Sequence, residues 1–74
     1  MSMIDGKTYT VHHMRKGTFT GRLIDHDDSW ARFEIVEGRT KAMLAYNEAG
    51  VGDEVSVRRS LCRFAEATAE GGAL

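Results

Sequence analysis

The side chains whose types and spacing could do chemistry in this sequence are basic. Arg15-Lys16 precede Gly17, Arg58-Arg59 form a second pair, and Arg63 follows closely. Grouped guanidinium and ammonium groups grip phosphate oxygens. Trp30, Tyr9 and Tyr46 are rings on which an unstacked base could lie. Lys7, Arg22, Arg39 and Lys41 add to the positive charge, but 11 acidic residues offset 10 basic ones, and the net charge is −1. With a pI near 6.3, the chain lacks the footprint of a strong nonspecific nucleic-acid binder. A local basic patch remains compatible with that balance. The blander alternative is a solvated surface of interleaved charges.

Other chemistry is thinly represented. Asp25-His26-Asp27-Asp28 resembles a cation cluster, but it lacks the ligand offsets of a calcium loop and reads better as a polar turn. His12 and His13 are neighbours, so in a strand they face opposite ways and do not share a metal. Ser2, Ser29, Ser56 and Ser60 lack a nucleophile's context, and Gly50-Val51-Gly52 is too short for a phosphate loop. Glu34, Glu37 and Asp27 are acids with nothing to mark a cleft around them. Cys62, the single cysteine, excludes an intrachain disulfide and reads as a half-buried packing residue in a reducing compartment. The expectation is a binding protein, not an enzyme, with no metal and no cofactor.

The elements that must position these residues follow from periodicity. Residues 8–14 are β-branched and aromatic, and Arg15-Lys16-Gly17 makes a tight turn with Gly17 at positive φ. Over 18–25, Phe19, Gly21 and Leu23 face one way, and Thr18, Thr20, Arg22 and Ile24 the other. Gly21 in mid-strand predicts a bend or a close backbone approach. After a turn at 26–29, Ala31, Phe33 and Ile35 alternate with Trp30, Arg32, Glu34 and Val36. Helix-forming residues over 39–49, closed by Gly50, predict one short helix. Residues 55–58 and 61–65 supply the last strands, with a break at Arg59-Ser60.

The fold expected is all-β: five strands closing into a small barrel, which removes exposed edges, with the helix between strands 3 and 4. Val11, Phe19, Leu23, Phe33, Ile35, Val55, Val57 and Leu61 would fill its interior. Met14, Ile24, Trp30 and Val36 fall on the opposite side and are candidates for an interface. The domain is expected over residues 1–66, with 67–74 a flexible tail. No run approaches the ~20 apolar residues of a membrane span, and Met1 to Lys7 lacks a signal peptide's apolar core. A cytoplasmic protein with no membrane partner is expected.

Val11, Gly17, Phe19, Gly21, Leu23 and Asp27 are spaced as in the first motif of the Sm/Sm-like (Hfq-like) family of SH3-type barrels. Val57-Arg58-Arg59-Ser60-Leu61-Cys62 is similar in outline to the second motif. The resemblance covers roughly residues 8–37 and 53–65. It implies a bent five-stranded barrel, RNA binding and oligomeric assembly. The family's base-reading positions hold Ser29 and Ala31 here, and Arg59 stands where its Arg-Gly pair has glycine. Its helix precedes the first strand, whereas the helix expected here follows the third.

Two functions follow as expectations. In one, Arg15, Lys16, Arg58, Arg59 and Arg63 neutralise the phosphates of RNA or DNA while an aromatic ring stacks a base. In the other, Met14, Ile24, Trp30 and Val36 bind a protein partner or a second copy in a homo-oligomer.

Overall fold

The computed structural model describes residues 3–40 and 48–67. They form five strands in chain order: β1 (Thr8–His13), β2 (Gly17–His26), β3 (Trp30–Gly38), β4 (Glu54–Arg58) and β5 (Cys62–Glu66). A 3-10 turn, Arg59–Leu61, joins β4 to β5. The expected helix over 39–49 falls largely on residues 41–47, outside the described residues, as does nearly all of the expected tail. The described flanks of that segment, 39–40 and 48–50, are not helical. No described helix is long and apolar enough to cross a membrane.

The strands make one antiparallel sheet in the order β4-β3-β2-β1-β5. Hairpins explain most of that order. β1 pairs with β2 through a turn ending at Gly17, whose φ is 92°, a backbone geometry that favours glycine. β2 meets β3 across the polar turn at 27–29, and β3 meets β4 across the segment after Gly38. Thr40 anchors that segment. It is buried, its N–H donates to the Ala49 carbonyl at 2.8 Å, and its Oγ1 accepts the Ala49 N–H at 2.9 Å.

Alternation puts the core on one face. Tyr9 and Val11 from β1, Phe19 and Leu23 from β2, Ala31, Phe33 and Ile35 from β3, and Val55 and Val57 from β4 are buried, with Met3. Phe33 is central: it meets Tyr9 and Phe19 edge-on at 6.4 and 6.0 Å and stacks on Phe64 at 5.8 Å. Each such ring contributes about 1.5–3 kcal/mol on burial. Two interior expectations are corrected. Leu61 is only half-buried, because it belongs to the 3-10 turn and not to β5. Tyr9, expected as a stacking platform, is fully buried, and its hydroxyl accepts the Ile4 N–H at 2.9 Å.

Gly21 makes the close approach expected of it. A Cβ there would lie 2.9 Å from Phe33 Cβ and 3.1 Å from Phe19 Cε2. The β2–β3 ladder shifts register on either side of this point. Thr20 pairs with Glu37 but Gly21 with Ile35, so Val36 is an extra residue; Leu23 pairs with Phe33 but Asp25 with Arg32, so Ile24 is another. Such bulges bend a strand and increase its twist. The sheet curls enough for β4 and the β1–β2 turn to line one groove.

Candidate nucleic-acid interface

Trp30 opens β3, and its cross-strand partner is Arg58, near the end of β4. The Arg58 guanidinium lies over the indole, 4.9 Å from the ring centroid. Alternation exposes both side chains on the outer face, and Trp30 keeps 44% of its surface. Across from this pair, the β1–β2 turn contributes His13, Arg15 and Lys16. With Ser56 and Leu61 they line a groove of about 320 Å³. Three of the sequence-expected cations, Arg15, Lys16 and Arg58, therefore line one groove with an exposed aromatic ring.

The turn that carries Arg15 and Lys16 is held by His13. Its imidazole is buried, and Nδ1 accepts the N–H groups of Arg15 and Lys16, each at 3.0 Å. Burial, then Lys16 and then Arg15, hold its pKa below the ordinary value. His12, on the opposite face, is exposed and contacts Thr18 Oγ1 at 3.0 Å. Burial also lowers the Lys16 pKa.

The other two expected cations lie elsewhere. Arg63 is exposed on β5 and lines an adjoining depression with His12, Met14 and Leu61. Arg59 is engaged in holding the β2–β3 turn: its Nη1 donates to the Asp27 carbonyl at 2.6 Å, and its N–H to the Ser29 carbonyl at 2.8 Å. Asp27 Oδ1 in turn accepts the N–H groups of Ser29 and Trp30, each at 2.8 Å. Those bonds, from Trp30 first and then Ser29, pull the Asp27 pKa below the usual carboxylate value. They also fix the backbone at which Trp30 begins.

The carboxylates of the outer sheet face are paired away from the groove. Arg22 bonds Glu34, and Arg32 bridges Asp25 at 2.8 Å and Glu54 at 3.4 Å. His26 Nδ1 meets Asp5 at 2.8 Å. Among the described residues, no carboxylate lines the groove itself. Arg15, Arg58 and Arg63 make no ion pair among the described residues.

The four residues expected at an apolar interface are not one patch. Met14 is exposed in the β1–β2 turn and Trp30 at the start of β3. Ile24 and Val36 are the two bulge residues, and Ile24 is half-buried. Trp30 and Val36 stand about 20 Å apart along β3 at the usual strand rise, with Arg32 and Glu34 and their ion pairs between them. Tyr46 lies outside the described residues. The sequence reading weighed His13 only as a metal ligand and gave it no role in the turn, although a histidine two and three residues before the turn amides is a visible signal for such a cap. Cys62 is half-buried, its thiol donates weakly to the Arg58 carbonyl, and burial pushes its pKa up to about 11. No protein-family model matches this chain, and no curated protein or solved structure matches it.

Proposed function

We propose that this domain is a small, SH3/Sm-like binding module that takes single-stranded nucleic acid in the groove beside Trp30. The observation that carries this reading is that Arg15, Lys16 and Arg58 line one groove with an exposed indole, with no carboxylate among its described lining residues. Each element supplies a different part of the interaction. The cations neutralise successive phosphates, and the indole offers a π-face to any unstacked base. Single strands fit better than duplexes, because a base in a duplex is already stacked. Binding is expected to be modest, since the protein as a whole carries a net charge of −1.

The test is charge reversal read against salt. Three phosphate contacts on a single strand give a slope of about −2 in log K against log salt, from about −0.7 per contact. Arg15→Glu with Arg58→Glu should abolish binding in a fluorescence-anisotropy titration while the circular dichroism spectrum stays unchanged. Equal affinity for the folded double variant and the wild type would rule the groove out.

A further inference from the structure

We infer that His13 is a proton-operated latch on the β1–β2 turn, and so controls whether Arg15 and Lys16 are presented to the groove. The consequence for ligand rests on the nucleic-acid reading above; the consequence for the turn does not.

The geometry leaves the ring one role. Nδ1 accepts two backbone N–H groups at 3.0 Å each, so it carries no proton. The neutral ring then holds its hydrogen on Nε2. A protonated imidazole is a donor at both nitrogens, so Nδ1–H would confront two N–H groups that it now satisfies. The ring is buried. The charged or titratable groups facing it give the imidazolium no support. They are Arg15 and Lys16 from its own turn, Arg58 from β4, and Cys62, its cross-strand partner, from β5; β2 presents Gly17 opposite. His12 and its cross-strand partner Arg63 face away, and among the described residues no carboxylate lines either depression. The low pKa of His13 agrees with that setting. The turn is also tied to the 3-10 turn by the Met14 N–H, which donates to the Leu61 carbonyl at 3.0 Å.

The test is hydrogen exchange at the Arg15 and Lys16 amides, with the ring nitrogens followed by NMR, from about pH 7.5 to about pH 5. Protection at both amides should fall roughly tenfold as the ring protonates, the equivalent of one hydrogen bond. His13→Asn supplies an acceptor that does not titrate, so its protection should not track pH; His13→Ala should lack protection throughout. Unchanged protection in the wild type while Nδ1 protonates would overturn the latch, even if neither variant folds. Affinity for an oligothymidylate of about ten nucleotides, measured at both ends of the range, separates the two readings. A wild-type loss at low pH that the Asn variant escapes supports the latch. Tighter wild-type binding at low pH contradicts it. No binding at either pH defeats the nucleic-acid reading and leaves exchange to decide the latch.

Discussion

The Arg58 guanidinium lies 4.9 Å from the centroid of the Trp30 ring, across the ladder that joins β4 to β3. The pair sits on the exposed face, where a cation over an indole is worth about 0.5–1 kcal/mol. Such a contact is weak enough to give way to a base or a phosphate.

Arg58 and Arg59 are neighbours in sequence with different duties, and their variants should behave differently. Arg58→Glu should weaken oligonucleotide binding and cost no more than about 1 kcal/mol of stability. Arg59→Glu removes the bond to the Asp27 carbonyl and should destabilise the β2–β3 turn by about 1–2 kcal/mol. Urea denaturation beside an anisotropy titration separates them. Equal stability losses for the two variants would show that Arg59 has no special hold on the turn.

How much of this was legible in the sequence depends on which force set each feature. Period-two alternation placed Phe19, Leu23, Phe33 and Ile35 in the core, because strand geometry alone dictates which face a residue joins. Gly17 and Gly21 were legible for a related reason: each position excludes a side chain. Ile24 and Val36 were legible as residues outside the core, Val36 exposed and Ile24 half-buried, but the bulges that make them extra residues in the β2–β3 ladder leave no marker in composition. Tyr9 shares the face of Val11 in β1 and so joins the core against Phe33, which its reading as a stacking platform overlooked. Arg58 and Arg59 could not be told apart until the 3-10 turn fixed where each points. The groove itself joins residues from β1, its turn and β4, which only curling of the sheet brings together.

Gly21 should not tolerate alanine. Its added Cβ would meet Phe33 Cβ at 2.9 Å, and that atom is too near the backbone to swing aside. Overpacking of this kind costs about 1–3 kcal/mol. Gly21→Ala should lower the urea midpoint accordingly, whereas Gly50→Ala, with nothing within 4 Å, should leave it nearly unchanged. Indistinguishable midpoints would mean that the β2–β3 contact is looser than described.

Acid should destabilise the domain in two stages. His13 has a folded pKa below 6.5, from burial first and then Lys16 and Arg15. The unfolded chain therefore takes up protons first as pH falls through 6.5, so this contribution is present above 6.5 and lost as pH falls towards the folded value. Asp27 is held below 3.8 by the Trp30 and Ser29 amides. Its contribution is present above 3.8 and lost as pH falls through its own folded value. Thermal midpoints against pH should show the upper stage in the wild type and not in His13→Asn. An upper stage that persists in the variant would assign it to another group.

Cys62 should be a slow thiol. Burial raises its pKa to about 11, so little thiolate exists near neutral pH, and the thiolate is the nucleophile. Alkylation by iodoacetamide should run far slower in the folded protein than in urea. Equal rates would show that the β5 edge opens freely.

Trp30 is the chain's single tryptophan, so its fluorescence reports on the groove and nothing else. A titration with single-stranded oligothymidylate is therefore the most direct measurement of the central claim. Stacking of a base on the indole predicts saturable quenching that weakens with salt and disappears in the Arg15→Glu, Arg58→Glu protein. Fluorescence that does not change as oligonucleotide is added at low salt, or quenching that survives both reversals, would contradict it.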